Sequence, residues 1–129
     1  MRKYLKDTKA RMTDQPENLT YEERVARTRS RFVHSLPERL DAILDAIDVV
    51  PDEDSRETQT RKAHRLFHDM AGNAAMLEME GIEQSARQGL AIAERADIAS
   101  HTFTDIEKND LKAIVAQTRS IAAQLKELY

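Results

Sequence analysis

Two histidines one helical turn apart, His64 and His68, with Arg61 and Arg65 beside them, are the side chains of this sequence best placed to do chemistry. A free imidazole titrates near neutrality, so it can offer an unprotonated ring nitrogen as a nucleophile or as a metal ligand. His68 opens the stretch HDMAGNAAML. Drawn as a helix, that stretch puts Leu66, Met70 and Leu77 opposite His68, flanked by Asn73 and Ala74, and these form the expected core stripe. Around His68 itself lie Ala71, Gly72 and Ala75 toward the C-terminus, and His64, Arg61 and Arg65 toward the N-terminus. The surface is therefore bare ahead of the ring and basic behind it. A solvated helix face normally carries long charged side chains, and glycine inside a helix costs about 1 kcal/mol relative to alanine. Gly72 needs a reason, and room for something flat to approach His68 is one.

Plainer readings stand beside this one. His68 could be a surface histidine of no consequence. His64 could be the reactive ring instead, but the position one turn after it is filled by His68, a bulky group where His68 itself has glycine. The pair forms HxxxH, which can clip a metal, yet Arg65 stands where a zinc protease carries its general-base glutamate and no third ligand is near in sequence. Arg61 and Arg65 read equally as a solvated face or as groups that meet acidic side chains of a partner. Phe67 is expected in the core, with its edge, Ala71 and Ala75 supplying the apolar part of a docking surface. Met70, Met76 and Met79 are expected as core filler, and His34 and His101 are given no role.

The elements that must position these groups are helices. Apolar residues recur at helical spacing, and three glycines, three prolines and no alternating β-branched runs leave little room for strands. Thr20 and Glu23 have capping-box spacing and announce a first helix with apolar positions Tyr21, Val25, Phe32, Leu36, Leu40, Ile43 and Ile47. Pro37 is expected to kink or split it, with Ser35 and Glu38 starting a second segment, and Val50 and Pro51 closing the run. Asp52, Glu53 and Asp54 place negative charge at the positive end of the next helix, for which Ser55 is the expected cap. That helix carries His68 to about Leu77. Gly81 marks a turn, after which Ile82, Ala86, Leu90 and Ala93 trace a third helix ending near Ala96 to Ser100. Thr104 and Glu107 box the start of a fourth, whose stripe runs Leu111, Ile114, Val115, Thr118, Ile121, Ala122, Leu125, Leu128. The expected fold is all-α, an antiparallel four-helix bundle with an N-terminal helical extension.

Composition bounds the function. The 129 residues amount to one domain: a basic arm over residues 1–19 and a bundle over 20–129. The arm, with Arg2, Lys3, Lys6, Lys9 and Arg11, reads as a disordered, solubilising tail rather than a binding element. No cysteine is present, which excludes disulfides, thiolate metal sites and cysteine nucleophiles and fits a reducing compartment. No apolar stretch reaches the length of a membrane helix and the N-terminus has no secretory pattern, so the expected location is the cytoplasm. The formal charge of −3 argues against a nucleic-acid partner.

His68 with Met70, Ala71, Gly72, Ala74 and Ala75, set in such a bundle, resembles the signature of histidine-containing phosphotransfer (HPt) domains, and the resemblance runs from about Phe32 to Leu128. It implies that His68 accepts a phosphoryl group from an aspartyl phosphate on a response-regulator receiver domain, within a relay that begins at a hybrid histidine kinase, and passes it to another receiver. It also implies a carrier without kinase activity and with no cofactor of its own, the magnesium ion being supplied by the receiver domain; a monomer is expected because each apolar stripe can be satisfied within one bundle. The chain departs from the family pattern twice. Glu78 stands where glycine is common ten residues after the histidine, with Gly81 three residues on, which would let the helix end a turn late. Ala71 replaces a common lysine, so phosphate neutralisation falls to Arg61, Arg65, His64 or the partner. The alternative from a different class is a helical adaptor or inhibitor that docks on a kinase or receiver without being phosphorylated.

Overall fold

The computed structural model describes residues 18–51 and 54–129. These residues form four helices and no strand: α1 Tyr21–Asp48, α2 Gln59–Met76, α3 Glu80–Ile98 and α4 Asp105–Lys126. Each helix packs on its chain neighbours, and α4 closes the ring against α1. Cross-helix bonds fix the directions. Asp48 pairs with Lys112 and Asp41 with Arg119, while His34 Nε2 donates to the Tyr129 carbonyl, so α1 and α4 are antiparallel. Arg29 reaches the Leu77 carbonyl at one end of α1 and Gln59 reaches the Ile47 carbonyl at the other, so α1 and α2 are antiparallel too. The basic arm over residues 1–17 and the acidic pair Asp52 and Glu53 lie outside the described residues, as does the N-terminal extension for that stretch. No helix among the described residues is long and apolar enough to cross a membrane.

Both expected capping boxes form. The Thr20 hydroxyl accepts from Glu23 N–H at 3.1 Å while the Glu23 carboxylate accepts from Thr20 N–H at 2.9 Å, and Thr104 with Glu107 repeats the arrangement at the same two distances. Sequence expectation and structure part at four other boundaries. Pro37 does not split α1, which runs unbroken through it. Leu36 and Leu40, on either side of the proline, are fully buried in the same core, and that packing outweighs the missing N–H. Ser35 starts no second segment; its hydroxyl donates to the Phe32 carbonyl one turn back at 2.7 Å. Thr58, not Ser55, caps α2, accepting from Arg61 N–H at 3.1 Å, because Ser55 Oγ is already engaged in a local turn with Glu57. Gly81 lies inside α3; the turn before it is made by Glu78.

Glu78 takes a left-handed backbone, φ 59°, with its N–H on the Ala75 carbonyl and the Met79 N–H on the Ala74 carbonyl. That is a Schellman ending, normally completed by glycine. Ser100, φ 58°, ends α3 in the same way, with His101 N–H on the Ala96 carbonyl. So α2 does not run a further turn to Gly81 but stops at Glu78, with glutamate doing the work of glycine, and Arg29 braces the turn from α1 through the Leu77 carbonyl at 2.9 Å and the Glu78 carboxylate at 3.3 Å.

The core is centred on Leu36, Leu40, Ile43, Phe67, Ile82 and Leu111, all fully buried. Tyr21, Val50, Met76 and Leu128, expected at apolar positions, are exposed, because each lies at or beyond the end of a helix where no neighbouring element covers it. Helices α2 and α3 approach each other through small buried residues, among them Ala63, Ala71 and Ala74 on one and Ala86, Gly89 and Ala93 on the other. Phe67 lies against Gly89 so closely that a Cβ there would stand 2.3 Å from its ring. The Gly89→Ala substitution is therefore expected to lower stability by about 1–3 kcal/mol, with Phe67→Leu in the same chain recovering part of the loss. Urea unfolding checks this, and an unchanged midpoint would show that α2 and α3 are free to move apart.

Candidate functional site

Because Phe67, Ala71 and Ala74 all turn toward α3, the buried arc of α2 is rotated from the one expected. Its buried residues are Thr60, Ala63, Phe67, Met70, Ala71 and Ala74, whereas Leu66 and Leu77 are only partly covered. Ala71 thus leaves the bare face: it is 2% exposed, part of the core rather than of any docking surface. Phe67 is likewise wholly inside and lends no edge to the surface. The exposed strip of α2 runs through Arg61, Arg65, His68 and Gly72 to Met76, with Ala75 half-buried at its margin.

The His68 side chain is 71% exposed, and its nearest charged neighbour is Asp69, whose carboxylate lies 4.0 Å from Nδ1. Among the described residues no hydrogen bond ties the ring down. Gly72, one turn on, is exposed, and a Cβ there would meet no atom within 4 Å other than the helix's own backbone and chain neighbours. Among the described residues no contact requires glycine at that position. Met76, one turn beyond Gly72 and 77% exposed, extends the strip with a flexible apolar side chain instead of filling the core.

The basic side of the face is organised differently from what the spacing suggests. Arg65 makes a bidentate pair with Glu57, at 2.8 and 3.0 Å. Arg61 Nε donates to Asp97 Oδ2 at 3.1 Å, and His64 Nδ1 lies 2.8 Å from the same oxygen, with its Nε2 3.7 Å from Glu94. All three groups that were to neutralise a phosphate are thus held by carboxylates of the chain itself. The reason is geometric: Asp97 and Glu94 come from α3, and Glu57 from the segment just before the α2 cap, so neither helical spacing nor local sequence brings them to notice. Glu57, Arg61, His64, Arg65 and Asp97, with Ile98, 76% exposed, line a shallow depression that His68 also lines. His64 is half-buried and turned to α3, which separates its role from that of His68. Among the described residues no three His, Asp or Glu side chains converge as a metal site requires. His34 and His101 each bond a backbone carbonyl, and neither lines this depression.

The hydrogen bonds from Arg65 hold the Glu57 carboxyl below the usual carboxylate range, and the same bonds push the Arg65 guanidinium up. No protein-family description, curated protein or solved structure matches this chain.

Two outcomes follow from this geometry. Gly72→Ala should raise stability by about 1 kcal/mol, since the new methyl group meets open space and the helix gains a better former; a thermal melt checks it, and a loss of stability would mean that the backbone there needs glycine. A carboxyl held low in the folded state adds stability above its ordinary pKa, and that share disappears as the pH falls through the folded value. The gap in stability between the native chain and Glu57→Gln should therefore be open at pH 7 and closed at pH 3, as urea midpoints at the two pH values would show; a gap independent of pH would remove the Glu57–Arg65 pair as its source.

Proposed function

We propose that this protein is a histidine phosphotransfer carrier of a multistep phosphorelay in the cytoplasm, with His68 as phosphoacceptor. The observation that carries the reading is the pairing of an exposed imidazole with a helix-interior glycine, neither of which is engaged by any other side chain in a hydrogen bond or close contact among the described residues. A helix gives up about 1 kcal/mol at Gly72, and what it gains is an unobstructed approach to His68 for a second protein.

In the proposed step the unprotonated Nε2 of His68 attacks the phosphorus of an aspartyl phosphate on a receiver domain. The P–O bond breaks, an N–P bond forms, and the receiver recovers its carboxylate. Asp69 lies 4.0 Å from Nδ1, on the other side of the ring from Nε2. The receiver domain brings the magnesium ion its own chemistry uses. The contribution of this chain is positional: a ring on a rigid helix, open on one side, flanked by Gly72, Ala75 and the Met76 side chain as a contact zone. The reverse step on a second receiver completes the transfer, and no kinase activity is required of the bundle.

One observation favours the alternative of an unphosphorylated adaptor or inhibitor: Arg61, Arg65 and His64 are already paired, and a docking protein has no phosphate to neutralise. Incubation with a phosphorylated receiver domain separates the two readings. The carrier acquires acid-labile, base-stable label that is lost in His68→Gln and kept in His64→Gln. Label that survives His68→Gln overturns His68 as the acceptor, and absence of label with every receiver of the same organism overturns the carrier in favour of the adaptor.

A further inference from the structure

The depression that His68 lines holds two arginines, Arg61 and Arg65, and two carboxylates, Glu57 and Asp97, whose formal charges cancel. A phosphoryl group on His68 adds a charge of about −1.5 to −2 there. Arg65 is the cation placed to answer it. It precedes His68 by three residues on the same helix, a spacing that brings two side chains to adjacent positions on the surface, and nearly half of its side chain is exposed. Its guanidinium is nevertheless turned away, toward Glu57, in a pair that uses the planar two-bond geometry a phosphoryl group would use. Arg61 is less available, being farther along the helix and bonded to the largely buried Asp97 that His64 also bonds.

Resting on the reading of His68 as phosphoacceptor, we propose that Glu57 sets how strongly the phosphoryl group is held on this protein, by competing with it for the Arg65 guanidinium. Glu57 is a positioning residue: it touches neither the ring nor the transferred group, and it acts through Arg65. With Glu57 in place the phosphoryl group stays weakly neutralised and is readily given up. The low carboxyl of Glu57 is consistent with this, since the competitor remains charged throughout the neutral range.

The test is the equilibrium division of label between a receiver-domain aspartate and His68, measured at neutral pH for the native chain, Glu57→Gln, Arg65→Gln and the double variant. One receiver is used throughout, so its own contribution cancels between variants. Freeing Arg65 by Glu57→Gln should move the equilibrium about fivefold toward phospho-His68, the scale of one partly exposed ion pair. In the Arg65→Gln background the same substitution should move it by less than twofold. A role in folding alone would change melting temperatures and leave this ratio unmoved. Two results overturn the proposal: equal label division in the native chain and Glu57→Gln, or an undiminished shift when Arg65 is already gone, which would mean that Glu57 acts by direct repulsion. If the native chain takes no label on His68 from the receiver or from phosphoramidate, the phosphoacceptor reading itself falls and this one with it; labelling by either with no shift overturns only the role of Glu57.

Discussion

The rotation of α2 about its own axis depends on one contact, the Phe67 ring lying on the backbone of α3 at Gly89. A ring that close to a neighbouring helix leaves no freedom to roll, because interiors are packed as densely as organic crystals and a misplaced methyl group is felt. Phe67 is fully buried and its chain neighbour His68 is 71% exposed, so the same contact that seats one ring in the core holds the next one out of it. The small residues on both helices, Ala71 and Ala74 with Ala86 and Ala93, let the backbones draw together around that point. The close approach also explains why Ala71 is lost to the surface and why His64 comes within reach of Asp97. Scaffold and site are two sides of a single packing decision.

The starts of α1 and α4 were legible in the sequence because they are written in local chemistry. Thr20 with Glu23 and Thr104 with Glu107 each satisfy two orphan N–H groups at a fixed spacing, and both appear as expected. The ends were harder to read. Glu78 and Ser100 adopt the left-handed backbone that glycine would have advertised, and their place becomes visible only when the Arg29 brace and the carbonyl partners are seen. Pro37 misled for the opposite reason: a strong local signal was overridden by an apolar stripe continuous on both sides of it. In the candidate site, exposed His68 and open Gly72 follow from helical periodicity. The engagement of Arg61, Arg65 and His64 does not, since each partner reaches them from another helix or across a cap.

Electrostatically, the face is far quieter than a count of its cations suggests. Asp97 accepts from two α2 side chains through a single oxygen, and Glu57 occupies the one guanidinium adjacent to the proposed acceptor. Ion pairs at this level of exposure contribute little to stability, typically under about 1 kcal/mol each, so their value lies in where they point the charges. A bare, nearly neutral patch with exposed Met76 and Ile98 at its borders suits brief association with more than one partner, where a strongly charged surface would favour one and retain it.

Between α3 and α4 the core contains a polar pair, Ser85 and Thr118, both buried. Thr118 spends its hydroxyl proton on the Ile114 carbonyl, so Ser85 is the donor between them. An apolar seam alone would tolerate α4 sliding by one turn, since leucine, isoleucine and alanine interchange along it with small penalties. The polar pair does not tolerate it: with α4 displaced by a turn, the Ser85 hydroxyl would lose its acceptor inside the core, at about 1–3 kcal/mol. The pair works as a ratchet against slippage. It keeps α3 at one height in the bundle, and with it Asp97 level with His64, although α4 itself never touches the face on which His68 stands.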